Sequence, residues 1–242
     1  MFRGMIVRDE GDTFLLITQP DHAQLAEVMT AAMRTEPALY GVRRNTILLA
    51  TREHDNGWIE VDAEAFIDPA SGRPCDFIGG PARIKHDLWE RGVTRVGKID
   101  AFAGALVAQH ALTVYGYRRN EAEWASFFST MTALRDALLE RIGHAEGDAR
   151  EEFDAAYRCV RLGDVFSLQF CNGWIAPQET LGYRCSLDGS TLIVFPDPFA
   201  GATVPLRVIA RRIPARAYAD DADLRAALAA ATPQVVAGVA TG

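Results

Sequence analysis

The chain has 242 residues, of which 49% are hydrophobic and 24% charged, which are the proportions of an ordinary globular protein. Its net charge of −7 argues against a nucleic-acid or anionic-membrane surface, because both require clustered lysine and arginine. The four cysteines form no C-x-x-C pair, which indicates reduced thiols rather than a zinc knuckle.

The N-terminal part predicts a hairpin followed by a helix. Residues 5–18 contain two strand-like runs with Glu10-Gly11-Asp12 as the turn between them. Gln19-Pro20-Asp21 then opens a helix, because proline is tolerated in the first turn and Asp21 suits its positive end as a cap. His22 falls on the apolar face of this helix.

The middle of the chain predicts helices joined by irregular segments. A helix over 44–55 ends on the doublet His54-Asp55, and residues 59–82 look irregular because of their proline and glycine content. A short helix near 83–91 carries His86. Apolar periodicity predicts three more helices, which cover residues 101–115 with His110, 121–142, and 148–172 with Asp164.

After residue 178 the pattern changes to strands. Asp188-Gly189 predicts the turn of a hairpin between Tyr183–Ser186 and Thr191–Phe195. Residues 204–211 predict one more strand, and residues 221–231 a closing helix. The last ten residues are expected to be a frayed tail.

These elements predict a single domain, 1–242, with a mainly α fold. The helical metal-binding core covers about 19–178. A β extension, formed by residues 1–18 and 179–215, supplies a small antiparallel sheet beside it, and the closing helix follows at 221–231.

Four of the five histidines and two aspartates form an ordered set on or beside these predicted helices. They are His22, His54, Asp55, His86, His110 and Asp164. An ionised Asp164 among apolar neighbours is costly unless a cation compensates it. Imidazole and carboxylate ligands suit Fe, Mn or Zn, and a bridging carboxylate can hold two such ions about 3.5–4 Å apart. The set therefore predicts a two-ion site.

The order His…His-Asp…Asp resembles the HD-domain superfamily, which comprises helical metal-dependent phosphohydrolases and a branch of mixed-valence di-iron oxygenases. Its minimal motif corresponds to His22, His54, Asp55 and Asp164. Two-metal members add two histidines, to which His86 and His110 correspond. The segments 16–22 and 54–58 resemble an uncharacterised bacterial family, domain of unknown function 3891, and this closer resemblance runs nearly end to end.

Trp58 departs from the pattern of the better-known members. Many HD phosphohydrolases read His-Asp-x-Gly-Lys, and here tryptophan replaces the lysine. This weakens a phosphate-binding role for the segment and favours an apolar or aromatic wall, with Asn56 and Trp58 as candidate substrate contacts. The resemblance implies His54 and Asp55 as the catalytic residues.

Three functions stay open. The first is a metal-dependent enzyme that hydrolyses a phosphoester of a small molecule, and the second is a di-iron oxygenase that hydroxylates or cleaves a small substrate. The third is a non-catalytic metal or ligand sensor. His86 lies in a polar context and can equally be a surface residue, which leaves a one-ion site of His22, His54, Asp55 and Asp164 as an alternative to two ions or none.

The expected partner is a small-molecule substrate, with no nucleic acid and no membrane, and a homodimer is left open. Residues 1–10 contain no apolar segment typical of a signal peptide, so we expect a cytoplasmic protein whose translation starts at Met1 or Met5. No stretch approaches the roughly 20 apolar residues of a membrane span.

Overall fold

An N-terminal hairpin leads the chain into its first helix, as predicted. In the computed structural model, which describes residues 4–78, 82–144 and 148–242, β1 (Ile6–Asp9) pairs antiparallel with β2 (Thr13–Ile17). The helix α1 (Gln19–Ala32) follows at once. The Thr18 hydroxyl oxygen accepts a hydrogen bond from the backbone N–H of Asp21 and so caps the helix.

Helices occupy most of the chain between residues 19 and 172. They are α2 (Arg44–Glu53), α3 (Ile59–Asp62), α4 (Ala82–Ile99), α5 (Ala101–Val114), α6 (Ala125–Arg141) and α7 (Asp148–Asn172). The short helix expected near 83–91 is thus longer than predicted. It ends at Ile99, and the carboxylate of the next residue, Asp100, accepts the backbone N–H of Ala103 and caps α5. The segment expected to be irregular contains α3, and its residues 79–81 lie outside the described ranges.

The β structure overturns the prediction of a mainly α fold with a small antiparallel sheet. In the described residues it is one seven-stranded mixed sheet with the strand order β1-β2-β6-β7-β5-β4-β3. The later strands are β3 (Gln178–Thr180), β4 (Tyr183–Asp188), β5 (Thr191–Phe195), β6 (Val204–Pro214) and β7 (Gln234–Thr241), and α8 (Asp221–Ala230) lies between β6 and β7 in the chain. The N-terminal hairpin and the C-terminal strands therefore form a full layer of the fold.

The strand β7 occupies the place where a frayed tail was predicted. It pairs antiparallel with β6 and parallel with β5, so it lies inside the sheet and makes it mixed. The sequence did not predict this strand because it contains glycine and alanine, which have a low propensity for β-strands. At Gly238 a β-carbon would collide with the carbonyl oxygen of Ser190 and come within 2.6 Å of the Phe170 ring of α7. The packing around the strand therefore requires glycine at this position.

Two apolar clusters lie on opposite faces of the hairpin. Ile6, Leu15 and Ile17 join the main core together with the helices and the inner residues of β4–β7. Phe14 and Leu16, which alternate with them, pack in a second cluster that includes Leu224 and Leu228 of α8. In the described ranges, no helix combines the length and the apolar character that a membrane crossing requires.

Candidate metal centre

Four helices bring five of the six predicted ligands together in the main core. α1 supplies His22, the end of α2 supplies His54 and Asp55, α5 supplies His110, and α7 supplies Asp164. All five side chains are buried. Because α1, α2 and α7 pack against one another and α5 packs against α2 and α7, ligands distant in sequence converge.

The donor atoms of His22, His54 and Asp164 all lie within 4.8 Å of one another, and Asp55 lies beside both imidazoles. The Nε2 atoms of His22 and His54 are 3.2 Å apart, and each lies 3.3 Å from Asp55 Oδ2. Asp164 Oδ1 lies 3.6 Å from His22 Nε2 and 3.5 Å from His54 Nε2. Ligands about 2.0–2.2 Å from a tetrahedral ion are separated by about 3.3–3.6 Å, so the distance from each carboxylate to the two imidazoles suits a common ion.

Hydrogen bonds to the far nitrogens orient both imidazole rings toward this point. His54 Nδ1 lies 2.7 Å from the carbonyl oxygen of Thr51, which can only accept, so Nδ1 carries the proton. Ser167 donates its hydroxyl to the carbonyl of Asp164, which leaves its oxygen to accept from His22 Nδ1 at 2.8 Å. Both Nε2 lone pairs then face each other, and only a cation or a proton between them relieves the repulsion.

Glycine at position 163 allows the close approach of α7 to α1. A β-carbon there would collide with the Thr30 hydroxyl and lie 3.0 Å from the carbonyl oxygen of Ala26 on α1. This close packing brings the next residue, Asp164, within reach of His22. The glycine next to Asp164 therefore has a steric reason.

The pKa values of the clustered side chains are shifted by burial and by the charges of their neighbours. Burial alone lowers the pKa of His54, but the carboxylates of Asp55 and Asp164 outweigh it and raise that pKa well above its ordinary value. Burial alone raises the pKa of both carboxyl groups, but interactions with His54 for Asp55, and with His110, His54 and Arg161 for Asp164, lower both pKa values below the usual range. The cluster is therefore built to hold a positive charge between two carboxylates.

His110 and Arg161 lie on the other side of Asp164. His110 Nε2 is 3.6 Å from Asp164 Oδ2, and the Nη1 of Arg161 donates to the same oxygen at 2.5 Å. Burial lowers the pKa of His110 to about 3, so the ring is neutral near pH 7. Its Nδ1 lies 3.4 Å from the hydroxyl of Tyr157.

His86 lies in a different environment from the other five predicted ligands. Its ring packs against Trp124 and Phe127, with centroid distances of 5.0 and 5.1 Å. Within the described ranges its Nε2 has no hydrogen-bond partner, and no ion pair links it to the cluster. The structure therefore brings five of the six predicted ligands together and leaves His86 apart.

The two predicted substrate contacts face different surroundings. Asn56 donates to the carbonyl oxygens of Glu53 and Gly92 and accepts from Arg95, so its side chain holds the segment after α2 against α4. Trp58 is buried and lines a cavity of 240 Å³ that reaches Asp55, His110 and Asp164. A larger cavity of 600 Å³ lies between α1, β6 and α8, away from the histidines.

Three further side chains at the site were not predicted. Arg161 and Ser167 stand three residues before and after Asp164, a helical spacing that placed them on its face of α7 and was the available signal. Lys85 is buried and lines the same cavity from α4. It is one of only two lysines in the chain, but that count does not indicate that it lies at this cavity.

The fold and the cluster define a helix-and-sheet protein with two buried imidazoles and two buried carboxylates, of which His22, His54 and Asp164 could hold a metal ion. The model of a family described as a protein of unknown function (DUF3891) matches residues 5–215, so the chain belongs to that family. No curated protein and no solved structure matches the chain.

Proposed function

We propose that this protein is a metal-dependent hydrolase that cleaves a phosphoester of a small molecule, with one divalent ion held by His22, His54, Asp55 and Asp164. The observation that carries the proposal is the orientation of the two imidazoles. Their outer nitrogens are fixed by acceptors, and their inner nitrogens lie 3.2 Å apart beside two carboxylate oxygens. Zn, Mn and Fe are the ions that such a ligand set suits.

A divalent ion at this point supplies Lewis acidity and lowers the pKa of a water molecule toward neutrality. The chain provides the remaining groups from the walls of the cavity. Asp55 contributes one oxygen to the cluster and, through the other, can accept a proton from the attacking water. Arg161 lies beside Asp164 Oδ2, where its guanidinium can stabilise negative charge on the phosphoryl oxygens. A water oxygen–phosphorus bond would form, the ester oxygen–phosphorus bond would break, and the leaving oxygen would take the proton that Asp55 accepted from the water.

The position of Arg161 favours one ion over two. A second ion bridged by Asp164 would use Oδ2 together with His110, but the Arg161 guanidinium is already 2.5 Å from that oxygen. A second ion would also lack His86, whose ring packs against aromatic side chains. The di-iron oxygenase requires two ions, so these contacts favour the hydrolase. We also propose a wider relationship to the HD-domain superfamily. It rests on the order of the ligand residues in the sequence and not on the fold.

Metal analysis and a substrate panel test the proposal together. The purified chain, reconstituted with Zn, Mn or Fe, is expected to retain about one ion and to hydrolyse members of a phosphoester panel. His54→Ala should abolish both metal retention and hydrolysis, whereas His86→Ala should keep both. A chain that retains no ion, or hydrolysis that survives His54→Ala, contradicts the proposal. Two irons per chain with oxygen consumption would replace it by the oxygenase.

A further inference from the structure

The cavity beside the candidate metal centre has a balanced set of charged side chains. The acidic residues in its wall are Asp55 and Asp164, and the basic ones are Lys85 and Arg161. These two carboxylates and two cations sum to zero, and a bound divalent ion would make the cavity doubly positive. A dianion is the ligand whose charge matches it.

Lys85 is placed as a fixed cation in this cavity. The residue is 5% exposed, its Nζ donates to the carbonyl oxygen of Ile78 at 2.8 Å, and it lies 5.3 Å from the centre of the Tyr115 ring. The other lysine, Lys98, is exposed on the last turn of the same helix.

Arg161 provides a second cation from α7. Its Nη1 donates to Asp164, and the guanidinium has five N–H groups in a planar fork. A side chain with that geometry binds phosphate oxygens in pairs while it keeps one contact to a carboxylate. The aromatic part of the wall, which suits a flat apolar group, consists of Trp58, Phe77, Trp89, Tyr115 and Tyr117.

We propose that Lys85 and Arg161 together anchor the dianionic phosphate group of the substrate, and that the aromatic wall accepts its organic part. The proposal rests on the proposed function, because the bound ion supplies the excess of positive charge. It assigns the substrate class as a phosphomonoester with an apolar or aromatic group, and it distinguishes a dianion from a carboxylate monoanion.

The two lysines allow a direct test. The full chain, loaded with diamagnetic Zn and labelled with ¹³C at the lysine ε-carbons, is expected to give two ε signals, which Lys98→Arg assigns. Phenylphosphonate is the non-hydrolysable dianionic probe, and benzoate is its monoanionic match with the same ring. Phenylphosphonate should shift the Lys85 signal to saturation and leave Lys98 unchanged, and benzoate should bind more weakly.

Matched variants measure the contribution of each cation. Lys85→Met and Arg161→Met should each weaken phenylphosphonate binding about 10- to 100-fold, the effect of one lost charge-assisted hydrogen bond. Lys98→Met and Arg150→Met, exposed on the same two helices, should leave the affinity unchanged. Lys85→Arg, which restores a charge, should recover part of the binding. Zn content is measured in every variant, because Arg161 contacts a proposed ligand.

The outcomes separate the two proposals. If Zn binds but phenylphosphonate leaves the Lys85 signal in place, or if Lys85→Met binds it as the wild type does, the anchor is wrong and the metal centre stands. Equal affinity for benzoate also overturns the dianion assignment. If the chain binds no Zn, the proposed function fails, and the anchor fails with it.

Discussion

The chain contains two His-Asp doublets, and they have opposite environments. His54-Asp55 stands where α2 ends, and the backbone of Asp55 leaves the helical conformation with φ −106° and ψ 18°. Both side chains therefore point to the same interior site. His86-Asp87 lies within α4, where successive residues are about 100° apart, so His86 faces aromatic rings while the Asp87 side chain is 63% exposed. The position of a doublet in its helix decides whether both of its side chains can reach the same metal ion.

The largest expected effect is on metal binding by the two doublets. Asp55→Asn should abolish or greatly reduce metal retention, because it removes a charged ligand from a buried cluster, whereas Asp87→Asn should leave it unchanged. Elemental analysis of the purified variants measures the content. Equal losses in both variants would mean that the first doublet has no special role.

The acid sensitivity of the metal-free protein should depend on His110. Its pKa of about 3 in the folded state is below the value near 6.5 in the unfolded chain, so unfolding takes up a proton as the pH falls. The stability due to the neutral ring is present above pH 6.5 and decreases toward pH 3. Between pH 6.5 and 4.5 the loss should amount to roughly 2 kcal/mol.

Urea unfolding at these two pH values measures that loss. The raised pKa of His54 has the opposite sign, and its contribution is fully present throughout this range. His110→Asn should therefore reduce the difference in unfolding free energy between the two pH values. An unchanged difference would show that His110 does not remain neutral in the folded protein.

A smaller effect is expected at the hydroxyl that orients His22. Ser167→Ala removes the acceptor for His22 Nδ1, so the ring loses its fixed tautomer and metal affinity should fall about 10- to 100-fold. Competition with a chelator measures the affinity. Ser129→Ala, an exposed serine on α6, is the control and should match the wild type. Full affinity in Ser167→Ala would contradict the assigned tautomer.

The smallest effect should come from the contact between α1 and α7. Gly163→Ala places a methyl group against Thr30 and Ala26, and overpacking of this kind costs about 1–3 kcal/mol. Denaturant unfolding measures the change. Thr30→Ala in the same chain should restore part of the stability, because the Thr30 hydroxyl is the nearest obstacle. If Thr30→Ala restores no stability, the strain does not arise from the contact with the Thr30 hydroxyl.

The sequence predicted the helices, and which of them carry the clustered histidines and aspartates, because both depend on local patterns. Periodicity placed His22, His110 and Asp164 on helices, and the doublet marked the end of α2. The size of the sheet could not be predicted in this way. It depends on pairing between residues far apart, such as Phe14 with Ile213, and on a strand whose small residues resemble a loose tail. His86 was separated from the cluster by its position on α4, which the spacing of histidines does not encode.

The inserted strand β7 has a consequence for how the family's boundaries are used. The family match ends at residue 215, but β5 and β6 meet only through β7, which lies at 234–241. A chain cut at the end of the match would divide the sheet into two parts and expose a bare edge on each. Such edges pair with other chains, so the shortened protein is expected to aggregate. The unit that folds is longer than the unit that sequence comparison recognises.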